Sequence, residues 1–383
     1  MSRNKRLLIL TSSYPSDLTD GRAAAGFFVR DFANEMSAHH QLAVMTQHTG
    51  AGAKEIMEER YPVQRFSWSG KGRPLSTLSL PADIFPVMSI MLAGTIASIQ
   101  YCRREKPDHV IALWAIPCGI WALILKKTCN IPYSIWCLGA DIWDYEKSRL
   151  TRTLLKQVLK NASHVYADGI ELSTSVNDII PVDCTFLASS RLFKPPQKQT
   201  SLKPDGVRHY LFVGRYHHNK GPDILIRAVH LLAPELRSRI HCHLFGGGPM
   251  TLEIENLLEE LDLGDTITLG AFIGETQLTE ILAACDVVVI PSRKDSVSLM
   301  LSAALHLNKA IIATDVGDTG YLLKKYKVGK VVSSNSPAAI ADCIQKDLAN
   351  PDDSPEGRKS LKKILDISNA VSRIRQDIEL NIE

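Results

Sequence analysis

The sequence predicts an α/β chain of two doubly wound parallel-sheet domains facing each other across a cleft. Three observations predict it. Short β-branched runs alternate with helical patterns through most of the 383 residues, as parallel βαβ units require. From Arg191 to Gly206 the alternation stops, and three prolines with an Asp205-Gly206 turn mark a linker. The third observation is the stretch Cys285 to Asp318. A strand pattern, Asp286-Val-Val-Val-Ile290, stops at Pro291. A polar loop, Ser292-Arg-Lys-Asp-Ser296, opens onto a helix from Val297 to Leu307 that is apolar on nearly every side. A second strand, Ala310 to Ala313, ends at Thr314-Asp-Val-Gly317. A helix without a polar face is buried against the sheet, and such a unit places ligands at the carboxyl ends of its strands. The loop also opens a helix N-terminus, which suits an anion; an ordinary βαβ unit with no ligand is the alternative.

The predicted domains are 1–190, a linker 191–206, 207–365, and a C-terminal helix, 366–383, packing back towards the first domain. In order, strands are expected at Arg6 to Thr11, Leu42 to Thr46, Val63 to Phe66, His109 to Leu113, Tyr133 to Cys137 and His164 to Ala167. Helical patterns follow Gly26 and cover Pro117 to Lys127, Leu150 to Asn161 and Ile170 to Val176. Ile84 to Arg104 is also helical and ends in Arg103-Arg104; it reads either as a membrane-touching amphipathic helix or as a core helix capped by cations. After the linker come strands at His209 to Val213, His241 to Phe245 and Thr266 to Leu269, the Cys285–Asp318 unit, a strand at Val328 to Val332, and three closing helices.

The totals exclude several classes. Apolar content of 45% and 22% charged residues are globular values. A net charge of +3 is too small for a nucleic-acid partner. Up to Asp183 there are 20 Lys and Arg against 17 Asp and Glu, so the first half carries the surplus, which suits weak contact with an anionic membrane or simply a solvated surface. Eight cysteines form no Cys-x-x-Cys pair and sit in apolar runs, as free thiols in a reducing compartment do. The basic N-terminus has too short an apolar run for a signal peptide, and no apolar run approaches the ~20 residues of a membrane span. The expected location is cytoplasmic, with peripheral contact at the inner face of the membrane through the N-terminal domain as a variant of it.

The chemistry-bearing residues cluster after the linker. A strand ending at Gly214 is followed by Arg215 and Lys220 in the loop before a helix from Asp223. A guanidinium fork and an ammonium beside a helix N-terminus are what a diphosphate requires, and Gly214 and Gly221 let backbone approach it; two exposed surface charges are the alternative.

Gly214-Arg215, Lys220-Gly221, Phe245-Gly-Gly-Gly-Pro249, Ala284-Cys-Asp-Val-Val-Val-Ile-Pro-Ser292 and Thr314-Asp-Val-Gly317 resemble the family-4 retaining glycosyltransferases of the GT-B fold, with two Rossmann-like domains. The likeness continues through the loop to Gly26, Pro132-Tyr-Ser-Ile-Trp-Cys-Leu-Gly-Ala-Asp141, and Ala162 to Ala167. It implies transfer of a sugar from a UDP- or GDP-linked donor to a saccharide or lipid-linked acceptor, with retention, no required metal, and a place in surface polysaccharide or glycolipid assembly. Arg215 and Lys220 would neutralise the leaving diphosphate, and Asp295 stands at the first glutamate of the family's Glu-x7-Glu motif. Gly26, Gly214, Gly247, Gly248, Ser296 and the amides of Val297, Ser298, Leu299 and Met300 would line the donor. Gly139, Asp141 and Trp143 would belong to the acceptor and sugar pocket. The sequence departs from the family at Ala303, where the second glutamate would hold ribose hydroxyls, and at Leu138, where many members have histidine; Ser302 or His306 are candidates to compensate. These departures keep open a second reading, a non-catalytic GT-B subunit that binds a glycan or partner.

Overall fold

Runs rich in branched apolar residues form the central strands, which are buried on both faces, as in a parallel sheet covered by helices. The computed structural model describes residues 4–15, 24–50, 54–58, 60–70, 73, 75, 78, 81–144, 148–191, 196, 201–349 and 355–380. Much of the predicted linker therefore lies outside the described residues, as does most of the loop leading to Gly26. The chain divides into two units: 190–366 forms one, and 23–189 with 367–383 belongs to the other.

Unit 1 contains β1 (Arg6–Thr11), α1 (Ala24–Ser37), β2 (Gln41–Gln47), β3 (Glu55–Met57), β4 (Pro62–Phe66), α2 (Ile84–Glu105), β5 (His109–Leu113), α3 (Cys118–Cys129), β6 (Tyr133–Cys137), α4 (Ala140–Trp143), α5 (Arg149–Asn161), β7 (His164–Ala167), α6 (Ile170–Ile179) and β8 (Cys184–Phe186). The sheet order is β3-β4-β2-β1-β5-β6-β7-β8, parallel except for the β3–β4 edge. Register runs from Leu7 opposite Leu42 on one side and His109 on the other. The sequence reading missed β3 and β8, three-residue edge strands with little burial.

Unit 2 contains β9 (Arg208–Arg215), α7 (Pro222–His230), α8 (Pro234–Arg237), β10 (Ile240–Gly247), α9 (Thr251–Glu260), β11 (Ile267–Gly270), α10 (Glu275–Ala284), β12 (Val287–Ile290), α11 (Leu299–His306), β13 (Ala310–Thr314), α12 (Gly317–Tyr326), β14 (Lys330–Val332), α13 (Pro337–Ala349) and α14 (Pro355–Ile364). Its sheet is fully parallel in the order β11-β10-β9-β12-β13-β14. Strand order therefore reverses between β9 and β12. In a doubly wound sheet the crevice outside the carboxyl ends at such a reversal is where ligands bind, because the two flanking loops diverge there.

The last helix, α15 (Ile367–Leu380), packs on unit 1. The Lys5 ammonium donates to Ile378 O at 2.6 Å, and the Tyr166 hydroxyl donates to Asp377 Oδ2 at 2.8 Å. One expectation is corrected in this unit. Helix α2 is, by length and composition, apolar enough to cross a membrane, contrary to the reading that no run approached that length. Small residues, Gly94, Ala97 and Ser98, interrupt the large apolar side chains of this run.

Candidate active site

The reversal between β9 and β12 brings together two loops far apart in sequence. The first leaves β9 through Gly214, Arg215 and a 3-10 turn, His218–Lys220, and enters α7 at Pro222. The second leaves β12 at Pro291 and enters α11 at Leu299. They are stitched by backbone: the Arg293 and Lys294 amides donate to Asn219 O at 2.7 and 3.2 Å. Side chains add a clasp. Arg293 donates from both terminal nitrogens to Asp223, at 2.8 and 2.5 Å, and to His218 O at 2.9 Å. The Asp223 carboxylate stands in the first turn of α7, where the helix dipole also favours it. That carboxylate and its bond to Arg293 push the guanidinium's pKa up, against partial burial. The clasp is the feature that sequence reasoning missed, because its partners are 70 residues apart. A carboxylate at a helix start and two adjacent cations in the facing loop were its only signals.

Within this frame lies the pair that matters chemically. Lys220 Nζ donates to Asp295 Oδ2 at 2.6 Å, and the Ser292 hydroxyl donates to the same oxygen at 3.2 Å. Asp295 Oδ1 has no partner among the described residues, and the carboxylate is only 13% exposed. Arg215 is exposed and its guanidinium makes no hydrogen bond or ion pair among the described residues. With Lys220–Asp295 and Arg293–Asp223 internally balanced, Arg215 leaves the site with an uncompensated positive charge. His217, beside it, has its pKa lowered by desolvation first and by the Arg215 charge second, and its neutral Nδ1 accepts from the Asn219 amide at 3.2 Å. His217 thus caps the turn.

Two glycines set how closely the loops approach. Gly221 has φ +65°, and a Cβ there would lie 2.2 Å from Pro291 O. Gly317, at the start of α12, has φ +50°, and its Cβ would lie 2.0 Å from Asp295 O. Any side chain at either position pushes the β12 loop out of register with its neighbour.

The other donor-side candidates are placed as follows. Ser296, Val297 and Ser298 are buried beside α12, where Thr319 Oγ1 accepts from the Ser298 amide at 3.0 Å and donates to Ser296 O at 3.3 Å. This corrects the expectation that the amides of 297–300 are all free for a ligand: the Ser298 amide is occupied, leaving those of Val297, Leu299 and Met300. The helix consequently begins at Leu299, two residues later than its hydrophobicity suggests. Gly247 ends β10 and Gly248 follows it against the β9 loop, with the Gly248 Cβ position 2.7 Å from Tyr216 O, so this glycine run first serves backbone packing. Gly214 faces the Phe212 ring.

Ala303 is fully buried in α11. Of the neighbours expected to compensate, the Ser302 hydroxyl donates to Leu365 O at 3.2 Å and His306 Nδ1 pairs with Ser302 O at 2.8 Å, which leaves the His306 Nε2 as the available group.

The unit 1 candidates stand at the carboxyl ends of β1 and β6. A Cβ on Gly26 would press on the Tyr14–Pro15 backbone at 3.0–3.1 Å. Gly139 lies under the Trp143 ring, whose Nε1 donates to Ser175 Oγ at 3.1 Å. Asp141 is buried, its Oδ2 accepting from the Ala115 amide at 2.6 Å and its Oδ1 from the Leu138 amide at 3.0 Å. Burial raises its pKa to about 6, with the backbone donors pulling the other way. Asp141 is therefore first a clamp between the ends of β5 and β6. Trp136 is core: it is fully buried, edge-on to Phe28 and Phe32, and donates to Leu187 O.

Comparison with known proteins fits this geometry. Residues 193–364 match the family described as glycosyl transferases group 1. Nearly all of unit 2 is thus similar to the group 1 glycosyltransferases. A D-inositol 3-phosphate glycosyltransferase of Streptomyces coelicolor is 33% identical over 153 residues, covering 38% of this chain and 34% of that protein. An uncharacterised glycosyltransferase of Methanocaldococcus jannaschii is 22% identical over 242 residues, covering 63% and 66%. Several of the curated relatives are matched over only about a third to a half of their length. Across both units the fold is GT-B. Sucrose-phosphate synthase from Thermosynechococcus elongatus superposes with TM-score 0.76 at 17% identity, covering 97% of this chain and 98% of that one. Anabaena HepE in complex with UDP and glucose gives 0.72 at 14%, covering 97% and 99%.

Proposed function

We propose that the chain is a retaining glycosyltransferase that moves a sugar from a nucleoside-diphosphate sugar, held by unit 2, to a saccharide or lipid-linked acceptor. The observation that carries this is the Lys220–Asp295 pair beside Arg215, which has no partner among the described residues, at the strand-order reversal. The leaving diphosphate gains negative charge as the glycosidic bond breaks, and Arg215 with the remaining Lys220 donors stabilises it there without a divalent metal. Asp295 Oδ1 accepts from a sugar hydroxyl, and the carboxylate offsets the positive charge that builds on the anomeric carbon. The amides of Leu299 and Met300, at the positive end of α11, take the remaining phosphate or sugar oxygens. Gly139, Asp141 and Trp143 of unit 1 belong to the acceptor side.

A UDP-linked hexose is the favoured donor, supported by HepE being held with UDP, UDP with glucose, and UDP-glucose. WaaG, a glycosyltransferase involved in lipopolysaccharide biosynthesis, has TM-score 0.64 to this chain at 13% identity and supports a role in surface polysaccharide or glycolipid assembly at the cytoplasmic face. Supplying UDP-, GDP- and ADP-sugars with glycolipid acceptors and reading the product anomer by NMR tests the reading. Transfer with the donor's configuration retained, and lost in Arg215→Ala, supports it; an inverted product contradicts it. One observation favours a non-catalytic GT-B subunit instead, namely Ala303 with the Ser302 hydroxyl and the His306 Nδ1 both engaged elsewhere. That reading predicts no stabilisation by any nucleotide or nucleotide-sugar.

A further inference from the structure

Between Ile84 and Cys102, helix α2 carries no charged residue. Its inward face is fixed against the sheet: Ile90, Gly94, Ser98 and Cys102 are buried, a Cβ on Gly94 would lie 2.3 Å from the Trp121 ring, and Trp121 Nε1 donates to Met91 O at 3.2 Å. The outward face is then Ile84, Phe85, Met88, Leu92 and Ile96, which are 46 to 79% exposed. Their spacing keeps them on one side of the helix, a stripe roughly 18 Å long at about 1.5 Å per residue. The outer face of a surface helix is normally polar, and a continuous apolar stripe marks a surface that something else covers.

The charge around it indicates what. Helices α2, α3 and α5 pack side by side on one face of the sheet. Together they carry Arg103, Arg104, Lys126, Lys127, Arg149, Arg152, Lys156 and Lys160 against a single carboxylate, Glu105. Arg103, Lys127, Arg149, Lys156 and Lys160 are exposed and have no ion-pair partner among the described residues. Leu150, 79% exposed, stands among the α5 cations. Further along the layer, α6 adds Glu171 and Asp178. The other face of the sheet lacks this bias: α1 and α15 together hold Arg30, Arg373 and Arg375 against Asp31, Glu35, Asp377 and Glu379.

We infer that the outward face of α2, with the basic side of α5, docks unit 1 on an anionic phospholipid bilayer. The stripe enters the acyl boundary and the cations sit among lipid phosphates. Although α2 is long enough to span a bilayer, its pinned inward face keeps it flat in one leaflet. A second copy of the chain is the poorer occupant, because it would set like cations against each other. The inference does not rest on the transfer reading.

Co-sedimentation of the full chain with vesicles tests it, using phosphatidylcholine alone or with phosphatidylglycerol added, at low and high salt. Wild type binds the phosphatidylglycerol vesicles, at least about tenfold more weakly those of phosphatidylcholine, and loses the preference in high salt. Met88→Glu with Leu92→Glu lowers partitioning about a hundredfold. Arg149→Glu with Lys156→Glu lowers it only on the anionic vesicles. All four side chains are exposed, so circular dichroism and Tm should hold. If the variants fail to fold, the wild-type dependence on lipid charge and salt still decides. Wild type that stays in the supernatant with every vesicle overturns the inference. So does a wild-type dimer that Leu92→Glu dissociates without any vesicle binding.

Discussion

Replacing Lys220 and Asp295 separately should pull apart two roles that the resting structure combines. Their side chains meet at 2.6 Å, but Lys220 is 35% exposed and Asp295 13%. A pair that open is screened and contributes on the order of 1 kcal/mol or less to stability. If Lys220 binds a diphosphate, Lys220→Ala removes a charged hydrogen bond worth about 1.5–3 kcal/mol, and nucleoside-diphosphate affinity falls roughly ten- to hundredfold. Asp295→Ala removes no contact to the diphosphate and frees the ammonium from a competing carboxylate. Its affinity for the same nucleotide should therefore be unchanged or tighter, while transfer collapses for want of the carboxylate at the sugar. Isothermal calorimetry with whichever of UDP, GDP or ADP binds wild type best reads both variants directly. Equal weakening in both would mean that the two residues matter only as a structural pair, and the diphosphate assignment would fail.

Three further outcomes follow from the same geometry. Arg293→Ala strands the Asp223 carboxylate, 11% exposed, and should cost about 3 kcal/mol in urea unfolding of unit 2; a loss within experimental error would show that the clasp is not structural. Gly317→Ala meets both a left-handed φ and the Asp295 carbonyl, so it should depress turnover far more than Lys324→Ala, an exposed change on the same helix. Burial pushes the His243 pKa down to about 4 and that of His109 to about 3, and His209 Nδ1 lies 3.0 Å from His243 Nε2. An unfolded histidine titrates near 6.5, so between roughly pH 6.5 and 4 the unfolded chain binds protons that the folded one refuses, and stability falls as pH falls through that window. In His243→Asn, the slope of unfolding free energy against pH should flatten there; an unchanged slope excludes His243 as a source.

The central strands were legible because they are rich in branched apolar residues, and the site because Gly214, Arg215, Lys220 and Asp295 sit at the end of such a strand or in the short loop after one. What stayed hidden was pairing at long range. Nothing local shows that the Asp141 carboxylate takes up the Ala115 amide, or that the Thr319 hydroxyl occupies the Ser298 amide. Periodicity predicted α2 but left its environment undecided, since a buried core helix and a lipid-facing one read alike until neighbouring burial is known.

Hydrogen–deuterium exchange of the full chain with and without a nucleoside diphosphate tests the donor site most directly. The account predicts slowed exchange at 214–221 and 295–300 on binding, and loss of that protection in Arg215→Ala. Protection confined to the loops after β10 or β11, or none with any nucleotide, would contradict it.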